Sequence, residues 1–347
     1  MTATKQWHVN KNVDNLSGCP QIQEAAACLK GNEVVAFPTE TVYGLGGNAL
    51  SDEAIEKIYR AKGRPSDNPL IVHVASLEQL HQICDSIPDS AQKLIDAFWP
   101  GPLTIVLPKT GALSKRVTAG LSTVAVRMPE HPVAHAIIKA ANLPIAAPSA
   151  NSSGRPSPTL ASHVLDDLNG KIAGVVDGGA SGVGVESTVV DCTVEPVAIL
   201  RPGGVTREQL EAVVGKVTTD PALSQPDKPP KSPGMKYQHY APEAPVYLVA
   251  GGKEKIQELA KLAQSNHKRV GVLTTEENKC EYPMAAAVIA CGKRADLASV
   301  AHCLYDSLRA FDETHVDIIL SETFPMKGIG AAIMNRLSKA AGGRTIE

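Results

Sequence analysis

The chain has 347 residues, 43% of them hydrophobic and 20% charged, which is typical of a folded, water-soluble protein with room for two domains. Its 34 Lys and Arg are offset by 36 Asp and Glu, so the net charge of -2 argues against a global attraction to nucleic acid or anionic lipid. The stretch MTATKQWHVNKNVD lacks the apolar core of a signal peptide, and the apolar run MAAAVIA is too short to span a bilayer. We therefore expect a cytoplasmic protein.

The seven cysteines are odd in number and contain no C-x-x-C pair. This pattern favours free thiols in a reducing compartment over a disulfide framework or a zinc site. No Walker A sequence, G-x-S-x-G elbow or His/Cys metal spacing occurs. We therefore expect no metal site built from protein side chains.

Strand and helix patterns are mixed without strict alternation over residues 1–214. Caps, breakers and helical periodicity predict helices over 21–30, 51–62, 77–84, 89–99, 133–141, 159–168 and 206–214, with Ser51 and Thr159 as caps. Short β-branched runs predict strands over 34–37, 70–74, 103–107, 123–128, 144–147, 174–177, 186–192 and 197–201. These elements predict one domain, a mixed twisted sheet with helices on its faces.

The composition changes over 215–245, where seven prolines predict an extended linker. Its second half, SPGMKYQHYAP, carries two tyrosines, which favours a lid that docks on a surface over a solvated tether. Strands and helices then alternate cleanly over 246–347, which predicts a smaller, doubly wound, Rossmann-like α/β domain. Its strands are expected over 246–249, 270–274, 286–290 and 316–320, and its helices over 253–265, 296–311 and 329–341.

The segment 34–74 predicts a strand, a hydroxyl- and glycine-rich loop, a helix, a turn and a second strand. Gly63 ends the helix and Pro65 prevents its continuation, so we expect Lys62 and Arg64 on a stiff turn beside the glycine-rich loop. Such a turn suits an anion, although basic residues are also common at solvated helix ends.

Two further cations, Arg127 and Arg201, lie near the ends of predicted strands before Gly/Pro turns. Arginine at strand ends fits ligand binding at the edge of an α/β sheet, and the alternative for each is a structural salt bridge. Ser149 and Asn151 also follow a strand and could hold a nucleotide, or could simply form a turn. The same alternative applies to Ser157 and to the run 186–188.

Residues 44–49 formally fit the dinucleotide pattern G-x-G-x-x-[GA]. The context does not fit, because six residues separate the strand from the first glycine and no acid for a ribose follows the next strand. We therefore discount an NAD-dependent oxidoreductase.

Several motifs, in this order, resemble the YrdC-like domain of threonylcarbamoyl-AMP synthases: PTETVYGLGGNA, AKGRPSDNPLIVHV, WPGPLT, TVAVRMP, APSANSSGRPSPT, GVESTVVD and LRPG. The strings SPGMKYQHYAP and GIGAAIMNRLSKAA resemble the linker and extra C-terminal domain of the long form of that family. The resemblance covers about residues 21–341.

This resemblance implies that L-threonine, bicarbonate and ATP are converted to threonylcarbamoyl-adenylate and pyrophosphate. A partner complex would then transfer the threonylcarbamoyl group to an adenosine beside the anticodon of tRNA. It implies Mg²⁺ entering with ATP and held largely by phosphates and water. It implies no membrane partner.

The resemblance also assigns roles to matching residues. The threonine pocket would contain Thr39, His73, Arg127, Ala147, Ser187 and Thr188, with Arg127 pairing with the carboxylate. The ATP and bicarbonate side would contain Lys62, Arg64, Ser66, Asn68, Thr123, Ser149, Asn151, Ser157, Arg201 and Tyr240. Lys62 and Arg64 would stabilise charge at the phosphates, and Lys236 to Tyr240 would close over the site.

Two other functions share this type of domain. A double-stranded RNA-binding protein without adenylate synthesis would use a basic face of Lys62, Arg64, Arg127, Arg155 and Arg201, although the net charge argues against it. A carbamoyltransferase for hydrogenase maturation would need acylphosphatase and zinc-finger regions, which are not seen in this sequence.

Overall fold

The structure is a computed structural model that describes residues 3–221 and 239–347. The described residues form two compact units. The first contains 3–153, 158–182 and 186–221, and the second contains 154–157, 183–185 and 239–347. Most of the predicted linker, over 222–238, lies outside the described residues.

The first unit contains eleven strands and seven α-helices within its described residues. The strands are β1 (Lys5–His8), β2 (Val35–Phe37), β3 (Gly44–Asn48), β4 (Ile71–His73), β5 (Leu103–Pro108), β6 (Thr123–Arg127), β7 (Ile145–Ala146), β8 (Gly174–Asp177), β9 (Thr188–Asp191), β10 (Ala198–Arg201) and β11 (Thr218–Thr219). The helices are α1 (Pro20–Lys30), α2 (Asp52–Lys62), α3 (Leu77–Ile83), α4 (Asp89–Phe98), α5 (Pro132–Ala141), α6 (Ala161–Leu168) and α7 (Arg207–Val214).

These strands form one mixed sheet in the order β1-β8-β2-β3-β7-β4-β6-β5-β9-β10-β11. Parallel pairs such as β4 with β6 alternate with antiparallel pairs such as β5 with β6. Two apolar cores flank the sheet, and the second is formed mainly by α1 and α5. The prediction of a mixed sheet covered by helices is confirmed.

Helix α2 forms for the reasons that the sequence indicates. The Ser51 side chain accepts a hydrogen bond from the Ala54 N–H, and acidic residues occupy the first turn. Gly63 ends the helix in the left-handed conformation at φ 60°. Lys62 is therefore the last helical residue, and Arg64 follows on the turn, as predicted.

The predicted glycine-rich loop is wrong, because Gly44–Asn48 is the buried strand β3, paired with β2 and β7. Glycine is needed here for close packing. A Cβ on Gly46 would lie 2.5 Å from Phe37 Cε1 and 2.9 Å from Ile145 Cγ2. The same strand removes the strand–turn–helix context of a dinucleotide fingerprint.

Three smaller predictions also differ from the structure. Helix α6 has Leu160 at its N-cap without a side-chain cap, so Thr159 is not the capping residue. The sequence patterns missed the short strands β1 and β11. Strand β11 falls within the predicted linker and pairs with β10, so the linker's first residues belong to the sheet.

The second unit alternates strands and helices. Its strands are β12 (Val246–Val249), β13 (Val270–Thr274), β14 (Ala287–Ala290), β15 (Ile318–Glu322) and β16 (Thr345–Ile346), and its helices are α8 (Gly252–Ser265), α9 (Leu297–Ala310) and α10 (Gly330–Ala340). The sheet order is β14-β13-β15-β12-β16, and every pair is parallel. This confirms the predicted Rossmann-like architecture, to which β16 is an unpredicted addition.

None of the helices within 3–221 and 239–347 combines the length and apolar character needed to cross a membrane. All seven cysteines are free thiols, as predicted.

Gly46→Ala should destabilise the first unit by about 1–3 kcal/mol, because the new methyl group overpacks against Phe37 and Ile145. Urea unfolding followed by tryptophan fluorescence measures this, since both tryptophans lie in the first unit. Gly111→Ala is the matched control, because a Cβ there meets no atom within 4 Å. Equal midpoints for the two variants would contradict the packing argument.

Candidate functional site

One face of the central strands carries several of the candidate residues of the first unit. Side chains alternate along a strand, so Thr123, Ala125 and Arg127 of β6 share a face. The parallel register of β4 with β6 sets His73 beside Arg127 and Ile71 beside Ala125. We call this face, which continues through Thr104 on β5, Val189 on β9 and Ser187 just before β9, the site face. Its floor is a small apolar cluster of Ile71, Val106, Ala125, Val189 and Leu200.

Arg127 is buried at one end of the site face, with 4% of its side chain exposed. Its Nε donates to the Gly101 carbonyl at 3.2 Å, and its Nη1 donates to Thr41 Oγ1 at 2.8 Å. Its Nη2 lies 2.5 Å from Oε1 of Glu40. The guanidinium is therefore held in a fixed orientation by neighbouring residues.

Thr39 lies in the loop between β2 and β3 and shapes that loop. Its hydroxyl donates to the Val42 carbonyl at 2.6 Å and lies 2.9 Å from Thr41 Oγ1. The buried loop thus places Thr39, Glu40 and Thr41 around Arg127. Thr39 was a predicted site residue and Glu40 was not, although an acid between two threonines in an otherwise apolar segment is a usable signal.

Burial lowers the pKa of His73 to about 3, with a further contribution from the positive charge of Arg127. The imidazole of His73 is therefore neutral at physiological pH. Burial likewise lowers the pKa of His131 to about 4, with a smaller contribution from Lys11. Two neutral imidazoles thus lie near the Arg127–Glu40 pair.

Ser187 and Arg201 contact each other directly. The Arg201 guanidinium donates to both the carbonyl and the hydroxyl of Ser187, and Ser187 Oγ lies 2.8 Å from Thr104 Oγ1. Thr188 follows on β9 and lies on the opposite face. Its hydroxyl bonds to the backbone of Val205, so it fixes the turn after β10 instead of facing the site.

Lys62 is buried and reaches the loop that follows β7. Its Nζ donates to the carbonyls of Ser149 at 2.5 Å and Asn151 at 2.6 Å. The Gly44–Ser149 bridge and the hydrogen bond from Leu45 N–H to the Pro148 carbonyl fix this loop against β3. The structure therefore brings Lys62 into contact with Ser149 and Asn151, which lie 87 and 89 positions further along the sequence.

Arg64, Ser66 and Asn68 lie on the turn between α2 and β4. Arg64 Nη2 donates to the Pro69 carbonyl at 3.2 Å, while Ser66 is exposed. Asn68 is 1% exposed, and within the described part of the chain its amide has no hydrogen-bond partner. The β4–β6 register carries this turn towards Thr123, at the far end of β6 from Arg127.

The candidates of the first unit thus form two groups. We call Thr39, His73 and Arg127 the arginine end, and Lys62, Asn68, Thr123, Ser149 and Asn151 the lysine end. The rise of β6 from Thr123 to Arg127 separates the ends by about 13 Å. Ala147 lies between them, because its N–H bonds to the carbonyl of Ile71.

Several buried polar atoms at both ends lack a hydrogen-bond partner among the described residues. They include both carboxylate oxygens of Glu40, Nδ1 of His73 and the side-chain amide of Asn68. Buried polar groups are normally satisfied, so unused ones at both ends indicate a site for a polar ligand.

Two candidates belong to the second unit. Ser157 is fully buried there. Tyr240 adopts a φ of 68°, stacks against Tyr305 at 5.2 Å and lies beneath the guanidinium of Arg336. The remainder of the predicted lid, 236–238, lies outside the described residues.

Comparison with known proteins shows to which family the chain is related. Residues 27–203 match the Sua5_yciO_yrdC family, described as telomere recombination, and residues 205–342 match the threonylcarbamoyl-AMP synthase C-terminal domain. The threonylcarbamoyl-AMP synthase of Bacillus subtilis is 58% identical over 344 residues, covering 99% of both chains. That of Pyrococcus abyssi is 47% identical over 332 residues, covering 94% of this chain and 96% of the relative.

Solved structures of the P. abyssi protein are similar over the whole chain. Sua5 complexed with L-threonine is 46% identical, with a TM-score of 0.93 and 99% coverage of both chains. A doubly substituted variant of the same protein also gives a TM-score of 0.93.

The fold and the two polar ends define a two-unit α/β protein with a polar ligand site on its larger sheet. The chain belongs to the threonylcarbamoyl-AMP synthase family, in its long form with the extra C-terminal domain.

Lowering the pH from about 6.5 to about 4 should destabilise the protein, because the unfolded chain protonates His131 in this range while the folded protein does not. His131→Asn keeps a helix-capping acceptor for α5 and removes the titrating ring. The variant should lose about 3 kcal/mol less stability over this range than the wild type. Urea unfolding at several pH values measures the difference, and parallel pH profiles would contradict it.

Proposed function

We propose that this protein synthesises L-threonylcarbamoyl-adenylate from L-threonine, bicarbonate and ATP and releases pyrophosphate. The observation that carries the proposal is a buried arginine at one end of the apolar floor of the site face and a buried lysine bonded to the loop 149–151 towards the other end. Relatives named threonylcarbamoyl-AMP synthase over the full chain support it. The relative solved with L-threonine supports the choice of amino acid.

Threonine is proposed to bind at the arginine end. Arg127 would pair with its carboxylate, since a guanidinium matches a carboxylate geometrically. The neutral His73 and the hydroxyls of Thr39 and Ser187 would contact its remaining polar groups, and Ala147 would line the pocket. Thr188 would contribute only by holding the turn after β10.

ATP is proposed to bind at the lysine end. Lys62 and Arg64 would stabilise negative charge on the phosphates, and Ser66, Asn68, Thr123, Ser149 and Asn151 would orient the nucleotide. Arg201, which is bonded to Ser187, would contribute to the ATP and bicarbonate side from beside the threonine pocket. Bicarbonate would bind between the two ends, where the carbamate must meet the α-phosphorus.

The chemistry needs no protein nucleophile. The threonine amine attacks bicarbonate to form a carbamate, a carbamate oxygen attacks the α-phosphorus of ATP, and pyrophosphate leaves. The protein would accelerate both steps by holding the reactants in line and by stabilising charge.

Mg²⁺ is proposed to enter with ATP, where it would neutralise phosphate charge. Across 3–221 and 239–347, no group of three or more His, Cys, Asp or Glu residues is placed to hold a metal ion. Ligands from phosphates and water fit these residues better than a cage of side chains.

The product is a reactive mixed anhydride, so a transferase must consume it. We propose that synthesis of the adenylate is the first step of threonylcarbamoyladenosine formation beside the anticodon of tRNA. A threonylcarbamoyl transferase complex in the cytoplasm would then transfer the threonylcarbamoyl group from the adenylate to the tRNA.

RNA binding as the main function is not favoured. Lys62, Arg127 and Arg201 are each at most 5% exposed, so they are not available to the phosphates of an RNA duplex. Arg155 pairs with Asp312 at 2.9 Å within the second unit. A weak RNA contact elsewhere would not require these residues.

Pyrophosphate release from ATP should require both threonine and bicarbonate. The assay compares threonine with serine, valine and alanine and identifies the adenylate by mass. Release that is independent of the amino acid, or RNA binding that falls steeply with salt in the absence of release, would contradict the proposal.

The two ends should respond separately to substitution. Arg127→Ala should raise the KM for threonine by at least about tenfold with a smaller effect on ATP, because a carboxylate contact to a buried cation is lost. Lys62→Ala should lower kcat by at least about tenfold. Lys57→Ala is the control on the same helix, since Lys57 pairs with Glu33 and Glu53 away from the site. An equal rise in the KM values for threonine and ATP in Arg127→Ala, or full activity in Lys62→Ala, would contradict the assignments.

A further inference from the structure

Glu40 is a buried carboxylate for which the reaction as written above has no use. Its side chain is 12% exposed and lies 2.5 Å from Nη2 of Arg127. This contact lacks hydrogen-bond geometry, and within the described residues neither carboxylate oxygen has another hydrogen-bond partner. A buried carboxylate normally accepts several hydrogen bonds, so Glu40 has unused acceptor capacity on the site face.

Among the residues that the structure describes, Arg127 is the cation that forms an ion pair with Glu40. Arg127 approaches from the end of β6, and His131 approaches from the start of α5. His131 is neutral above about pH 4, and His73, beside Arg127 on β4, is neutral above about pH 3. Neither imidazole supplies a positive charge at neutral pH.

An amino acid zwitterion fits this pair of opposite charges. Its carboxylate and ammonium lie on the same carbon atom, so both groups fall within a few ångströms of the Arg127–Glu40 contact. When the carboxylate binds Arg127, Glu40 loses its cationic partner and gains the ammonium as its replacement. Two buried charges thus remain paired before and after substrate binding, which avoids an uncompensated charge in either state.

We propose that Glu40 binds the α-ammonium of threonine and accepts the proton that this group must lose before it can react. This inference rests on the proposed function. Arg127 orients the substrate through the carboxylate, and Glu40 makes the amine nucleophilic. Glu40 is therefore a catalytic residue of the carbamate-forming step.

The step balances in atoms and charge. One N–H bond of the ammonium breaks, and its proton moves to a carboxylate oxygen of Glu40. The amine lone pair then forms a C–N bond to the bicarbonate carbon, and a C–O bond of bicarbonate breaks. The departing hydroxide takes a second proton from the same nitrogen and leaves as water, so that the carbamate carries the single negative charge that bicarbonate brought. Glu40 returns its proton to solvent when the products leave.

The first test measures binding at equilibrium, without ATP, in the full-length protein. The two ligands are L-threonine and 2,3-dihydroxybutanoate of matching configuration, which carries a hydroxyl in place of the ammonium. The wild type should prefer threonine by at least tenfold. Glu40→Gln should reduce this preference to near unity, because the amide cannot neutralise an ammonium. Glu130→Gln, which removes an exposed carboxylate three residues after Arg127, should keep the wild-type ratio.

The second test follows kcat/KM for threonine between pH 7 and 8.5. In Glu40→Gln, kcat/KM for threonine should fall at least about 100-fold at pH 7, which is the usual effect of removing a general acid–base group. Its remaining activity should rise about tenfold per pH unit, because only threonine that is already deprotonated can react. The wild type, which binds the zwitterion, should rise much less, and Glu40→Asp should recover part of the activity and the flatter profile.

A purely structural role for Glu40 predicts other results. If Glu40 only orients Arg127, Glu40→Gln should reduce the affinity for both ligands equally and keep the wild-type pH profile of kcat/KM. That outcome would overturn the proposal. Failure of the proposed function is distinguishable, because the wild type itself would then show no threonine-dependent pyrophosphate release. The binding ratio does not depend on turnover, so it decides the role of Glu40 in either case.

Discussion

The burial of one positive charge constrains the centre of the first unit. The Arg127 guanidinium lies at the end of β6 with almost no exposure, and an unpaired charge in that position would cost several kcal/mol. Three groups from two segments meet it: the carbonyl of Gly101 before β5, and the hydroxyl of Thr41 and the carboxylate of Glu40 in the β2–β3 loop. The position of the β2–β3 loop and of the turn before β5 therefore depends on this single cation.

The sheet places a second group of polar residues at a fixed distance from Arg127, which gives the site two ends. Alternation along β6 places Thr123 and Arg127 on one face, and the floor between them is apolar. Lys62 at the other end is held by backbone carbonyls instead of by a carboxylate. Carbonyl oxygens fix the ammonium without neutralising its formal charge, so a phosphate can still gain from it. The arginine end, by contrast, already contains an internal anion and suits a substrate that carries both charges.

Local signals in the sequence were enough to predict most of the elements. Ser51, Gly63 and the apolar face between them define α2, and the alternating tail predicts the parallel sheet of the second unit. The strand formed by the glycines of β3 could not be predicted in this way. At Gly46 the absence of a side chain leaves room for Phe37 of β2 and Ile145 of β7, and this packing is not visible in the sequence. Glycine-rich sequence is ordinarily a sign of a loop, and only tertiary packing reverses that expectation.

The candidate site shows the same division. Arg127 and Lys62 could be selected from their chemistry and their neighbours in the sequence, whereas Thr188 was grouped with Ser187 although the strand turns it to the other face. Glu40 was missed because nothing in one dimension shows that its carboxylate meets Arg127, 87 positions further along the chain. Pairings across a sheet depend on register, which single-sequence patterns do not determine.

The binding of threonine at the arginine end and of ATP at the lysine end can be tested directly by a crystal structure of the full chain with L-threonine and a non-hydrolysable ATP analogue. The account predicts threonine with its carboxylate on Arg127 and its ammonium on Glu40, and the triphosphate beside Lys62 across the apolar floor. Threonine bound away from Arg127, or a triphosphate on another surface of the first unit, would contradict it.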